Sequence, residues 1–189
     1  MNLIYGVGVN DKKYPTGTSR KKTKEYELWR DMLKRCYGKH HLVKNPTYVG
    51  CSVSDNFKNY SYFYEWCNQQ IGFNNHGYDL DKDIITRGNK IYSEDKCVFV
   101  PSQINTFFNA RGRDRGNYPI GVNFDRDSGK YKAECSVNGK SKNLGRFTTP
   151  EEAFAVYKQF KEYLCKELAQ KWQSQIDPRT YEAMINWSI

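Results

Sequence analysis

The sequence predicts an α+β protein: N-terminal helices, a strand–strand–helix stretch, then a three-stranded antiparallel sheet packed on a helix. Three observations carry that expectation. Tyr131, Ala133, Cys135 and Val137 alternate with Lys132, Glu134 and Ser136, the period of a strand with one buried face. Turn residues bracket this run, Asp125 to Gly129 before it and Asn138–Gly139 after it, and the second pair is the strongest short hairpin signal. Thr149, Pro150, Glu151 and Glu152 then open a helix, with Thr149 as N-cap, Pro150 at the first helical position and Glu152 completing a capping box.

Taken in order, the chain begins with Gly6–Val7–Gly8, which lacks the third glycine of a nucleotide-binding fingerprint. Residues 10–24 are polar and basic, either an arm that touches phosphates or a solvated loop. Residues 25–37 read as a helix whose apolar stripe is Trp29, Met32, Leu33 and Cys36, stopped by Gly38. A loop with His40 and His41 follows, then a short extended piece over 48–53. Ser54 or Asp55 caps a second helix over 55–70, with Phe57, Tyr60, Phe63, Tyr64 and Cys67 as its core stripe. Residues 78–85 and 96–100 read as strands around an Arg87–Gly88–Asn89 loop, and 101–109 as a helix begun by Pro101. The three strands of the sheet fall at 120–124, 131–137 and 142–147. Ala153, Val156, Tyr157, Phe160 and Leu164 then lay the following helix on the sheet's buried face. The organisation expected is a first module over 1–110, a basic linker over 111–117, a second module over 118–175 and a C-terminal docking helix over 176–189.

Lys and Arg number 30 against 21 Asp and Glu, a net charge of +9. That balance favours a polyanionic partner, most often nucleic acid. No apolar run approaches the length of a transmembrane helix, so a cytoplasmic protein is expected and a membrane partner is not. The six cysteines are widely spaced with no C-x-x-C pair, which argues for buried reduced thiols rather than a zinc site.

Two sets of residues point to chemistry. The face of the sheet away from the helix is expected to carry Lys130, Lys132, Lys140, Lys142 and Arg146, with Arg126 in the first turn. A basic ribbon of this kind reaches phosphates and base edges in a major groove. In the linker, Arg111, Arg113 and Arg115 alternate, a spacing suited to a phosphate backbone or a minor groove, or to a solvated hinge. Asp81 and Asp83 share a strand face, and Asn105 lies on the helix that follows. Carboxylates with an amide oxygen suit a hard cation such as Mg2+.

The residues from Leu80 to Asn105, LDKDIITRGNKIYSEDKCVFVPSQIN, resemble a divergent HNH nuclease motif, the ββα-metal finger of phage and intron endonucleases. Gly121–Val122, Tyr131–Glu134, Leu144–Phe147, Thr149, Glu151–Ala153 and Ala155–Tyr157 resemble the APETALA/ethylene-response-factor DNA-binding domain, in which a three-stranded sheet lies in the major groove. The order of the two resembles phage homing endonucleases. The resemblance implies a metal-dependent endonuclease acting on double-stranded DNA, a monomer or homodimer, with Asp81 and Asn105 as magnesium ligands and Asp83 assisting. Lys82 stands where the motif has its general-base histidine. The base then has to come from elsewhere, with His76 nearest and His40 or His41 as alternatives. Two other readings stay open: a DNA-binding regulator or inhibitor without nuclease activity, and a basic adaptor for an acidic protein.

Overall fold

The computed structural model of the chain describes residues 3–109 and 118–189. The expected linker arginines Arg111, Arg113 and Arg115 lie outside the described residues. The chain forms two compact units. One takes Met1–Thr106 with Ser174–Ala183, and the other takes Phe107–Gln173 with Met184–Ile189.

The first unit is organised by α1 (Lys24–Tyr37), which buries the predicted stripe Trp29, Met32, Leu33 and Cys36. Thr23 caps it by accepting from the Tyr26 backbone N–H. Trp29 is fully buried, and its indole N–H donates to the Phe57 carbonyl at 2.8 Å, so burial strands no polar atom. The second helix, α3 (Tyr60–Gln69), starts later than expected. Asn59 is its N-cap, accepting from Tyr62, while Asn56–Lys58 forms a separate 3-10 turn. His40 and His41 lie not in a loop but on a short helix, α2 (Lys39–Lys44). The basic stretch over 10–24 is folded onto α3. Tyr14 stacks on Tyr64 with centroids 4.1 Å apart, and Lys13 pairs with Glu65.

Two small sheets complete this unit. β1 (Ser52–Val53) pairs in parallel with β3 (Ile91–Tyr92). β2 (Tyr78–Asp81) pairs antiparallel with β4 (Val98–Pro101), and α4 (Ser102–Phe108) follows directly. Strand β2 stops at Asp81, four residues short of its predicted end. Asp83 is therefore not on the strand face expected for it.

In the second unit, β5 (Val122–Asp125), β6 (Lys130–Val137) and β7 (Lys140–Phe147) form an antiparallel sheet in that order. Asn138 and Gly139 both take positive φ, 51° and 78°, the hairpin geometry the dipeptide favours. Helix α5 (Pro150–Trp172) carries the full capping box, with Thr149 and Glu152 exchanging bonds. Val122, Ala133, Cys135, Ala153 and Tyr157 form the core between sheet and helix. Helix α6 (Pro178–Ile185) is divided between the units, with Thr180 fully buried in the first and Met184 in the second. Among the described residues no helix is long and apolar enough to cross a membrane.

Candidate functional site

The sheet register decides which cations share a face. Residues opposite one another on paired strands project to the same side. Asp125 faces Lys130, while Lys132 lies between Asn123 and Arg146. Glu134 faces Asn143 and Ser136 faces Ser141. These residues form the side away from α5. Between Ala133 and Glu134 the register with β7 shifts, leaving Leu144 as an extra residue. Beyond that bulge Lys142 pairs with Cys135 and Lys140 with Val137, on the helix side. The Lys142 ammonium lies 4.7 Å from the centre of the Phe160 ring of α5. Lys140 and Lys142 therefore do not belong to the outer basic face the sequence suggested, because one bulged residue moves both across the sheet.

The outer face is mixed in charge. Lys132 pairs with Glu134 at 2.5 Å, and Arg146 Nε pairs with Asp125 at 2.6 Å. Lys132 beside Glu134 holds that carboxyl below its usual value, and Arg146 does the same for Asp125. Lys130 has no ion-pair partner among the described residues, and Arg126 is exposed in the adjoining turn. Amides and hydroxyls of Asn123, Asn143, Ser136 and Ser141 fill the rest, groups that donate to and accept from base edges.

The two residues expected to hold magnesium each make other contacts. Asp81 Oδ1 accepts the backbone N–H groups of Asp83 and Ile84 at 2.9 and 2.8 Å, turning the chain out of β2. Asn105 donates instead to Asp79 Oδ2 at 3.1 Å. Asp79 and Asn105 line a cavity of about 180 Å3 with Asp31, Arg35 and Tyr78. Asp79 shares the period-two face of Asp81, and the sequence alone does not set it apart. Among the described residues no group of three or more His, Cys, Asp or Glu side chains converges on one point.

Lys82 is not a solvated lysine. It is buried, and its ammonium donates to Asp83 Oδ2 at 2.8 Å and to the Asn89 carbonyl at 3.0 Å. Burial pulls its pKa down, while the hydrogen bond and charge of Asp83, with Asp81 adding, raise it, and the net direction is upward. The ion pair with Asp83 favours the charged ammonium, which has no lone pair to take a proton. Lys82 ties the loop whose other anchor is Asn89, which donates to the carbonyls of Lys82 and Ile91. His76 is exposed in the turn before β2, while Asp81 ends that strand. Four strand residues span about 10 Å, so the two stand at opposite ends. His40 and His41 line a different cavity from the one at Asp79.

Burial pushes the Asp81 carboxyl above the ordinary range, with the Asp83 charge adding to it and the two backbone N–H groups opposing. A raised folded-state pKa stabilises fully below the unfolded value, and the contribution is lost as pH rises through the folded value. Asp81→Asn keeps the oxygen acceptor and removes the charge. It is expected to be more stable than the parent at pH 7, with the difference shrinking as the pH falls and Asp81 protonates. Asp81→Ala leaves two N–H groups without their acceptor and is expected to cost about 1–3 kcal/mol. Urea denaturation at pH 7 and pH 4 checks both; equal losses for Asn and Ala would contradict the structural role.

No protein-family model, curated protein or solved structure matches the chain.

Proposed function

We propose that the chain binds double-stranded DNA, with the side of the β5–β7 sheet away from α5 as its reading surface. The observation that carries this is the register, which gathers Lys130, Lys132 and Arg146 with Asn123, Asn143 and Ser141 on one side. The cations serve phosphates, and the amides and hydroxyls serve base edges. The net charge of +9 and the likeness to the APETALA/ethylene-response-factor sheet support the same reading. Phosphates displace Glu134 and Asp125 from Lys132 and Arg146, and Lys130 binds without giving up a partner.

Metal-dependent hydrolysis is the second reading, favoured by the Asp79–Asn105 contact on a strand–strand–helix unit. Of the pair Asp81 and Asn105, Asp81 Oδ1 is occupied by two backbone N–H groups, while the Asn105 amide nitrogen donates to Asp79, which makes Asp79 the carboxylate in contact with Asn105. Asp79 and Asp31 offer carboxylates, but Arg35 lines the same cavity and its fixed charge works against a second cation.

One experiment separates the readings: incubation with supercoiled plasmid and with phage DNA, with magnesium, with manganese and with chelator, across a salt series. DNA binding predicts a shift whose log affinity falls with log salt by about 0.9 per phosphate contact. Hydrolysis predicts metal-dependent nicking, lost in Asp79→Ala and retained in Asp81→Asn. A flat salt response removes the DNA reading.

A further inference from the structure

The first unit holds a second, larger cavity that neither reading uses. It has a volume of about 560 Å3 and is lined by Tyr5, Tyr37, Lys34, Lys39, His40 and His41 with two glycines. No carboxylate lines it. Among the described residues, the side chains of Lys34, Lys39 and His40 have no ion-pair or hydrogen-bond partner, so the two lysine charges at the rim are not neutralised.

The aromatic wall is held by two devices. Tyr5 sits at φ 53°, a left-handed conformation that side-chain-bearing residues seldom take. A tight turn imposes it: Ile4 N–H donates to the Gly8 carbonyl at 2.8 Å and Gly8 N–H to Ile4 at 2.9 Å. Gly8 pins that turn to α1, since a Cβ there would stand 2.4 Å from Leu33 and 2.9 Å from Trp29. Backbone held in sparse φ/ψ regions clusters at binding sites. Tyr5 is 37% exposed and makes no ring contact or hydrogen bond among the described residues. Tyr37 is fixed differently: its hydroxyl accepts from the Val53 backbone N–H at 3.0 Å, and the side chain packs against the core while also lining the cavity. His41 Nδ1 lies 3.4 Å from the Asn45 amide nitrogen, and its Nε2 is buried with no hydrogen-bond partner. The His41 ring packs 5.5 Å from Tyr48, so the imidazole forms part of the cavity wall.

We propose that this cavity takes one nucleotide of a single strand, the base against the Tyr5 and Tyr37 rings and its phosphates on Lys34 and Lys39. Stacking platforms combined with a basic rim are the general means of holding unpaired strands. The proposal shares the nucleic-acid reading but not the sheet. Displaced or unpaired strand would occupy the first unit while duplex lies on the second.

The test is fluorescence anisotropy of the full chain with labelled octathymidylate and, separately, with a labelled duplex. Tyr5→Gly removes the ring and suits the φ already present, so loss of folding does not cloud it. It is expected to weaken octathymidylate binding by about tenfold or more, while Tyr5→Phe keeps the parent affinity. Lys34→Ala with Lys39→Ala is expected to weaken it too, and to flatten the salt slope by about 0.7 per lost contact. Duplex affinity stays unchanged in all three. The proposal is overturned if the parent chain does not bind octathymidylate or if Tyr5→Gly binds as the parent does. It is equally overturned if polyglutamate of the same charge displaces the strand as well as octathymidylate does, since the cavity would then be an acidic-polymer site. Loss of duplex binding alone, with single-strand binding intact, would sink the sheet reading and leave this one standing.

Discussion

Lys130→Glu combined with Lys132→Glu is expected to weaken duplex binding roughly 100-fold at about 0.1 M salt, each reversal removing one attraction and adding one repulsion. Lys142→Glu is expected to change it by less than about threefold, although it reverses one charge just as each of the other two substitutions does. The difference rests on the bulge between Ala133 and Glu134, which turns Lys142 toward Phe160. By net charge alone, Lys142→Glu would cost as much per charge as either lysine of the outer face. Anisotropy titrations of the three proteins over a salt series decide the matter, and an equal loss per charge would contradict the face assignment.

Gly121→Ala is expected to cost the second unit about 2–5 kcal/mol. The position has φ 78°, where a Cβ is penalised by roughly 1–2 kcal/mol. The added Cβ would also stand 2.1–2.5 Å from ring carbons of Tyr157, which is buried in the core. Overpacking of that kind adds about 1–3 kcal/mol. Gly139→Ala is the internal control. Its φ is the same, 78°, but nothing lies within 4 Å of the new Cβ, so only the backbone penalty of about 1–2 kcal/mol remains. Thermal denaturation followed by near-ultraviolet circular dichroism compares the two, and equal costs would show that Tyr157 yields without strain. Gly121→Ala also predicts lost duplex binding with octathymidylate binding retained, because the Tyr5 cavity lies wholly in the first unit.

What was legible in the sequence is what nearest neighbours dictate. The Asn138–Gly139 hairpin, the Thr149–Glu152 box and the Trp29–Cys36 stripe each follow from a few adjacent residues, and each stands as read. What was not legible depends on partners far along the chain. A strict period of two cannot show that Leu144 is an extra residue, so the sequence pattern alone puts Lys140 and Lys142 on the outer face, whereas the register puts them on the helix side. The run from Leu80 to Asp83 drew the reading to Asp81, whose carboxylate instead closes its own turn. Asp79, two residues earlier, meets Asn105 only because β4 and α4 return across β2. Nothing local marks Lys82 as buried; its partners Asp83 and Asn89 close a loop around it. Asn59 outcompeted Ser54 and Asp55 as a cap because its side chain reaches the Tyr62 N–H.

The measurement that bears most directly on the sheet as a DNA-reading surface is lysine acetylation of the full chain, with and without saturating duplex, read residue by residue by mass spectrometry. Protection of Lys130 and Lys132, with Lys142 modified at an unchanged rate, is the predicted result. Unchanged rates at Lys130 and Lys132 in the presence of bound duplex would contradict it.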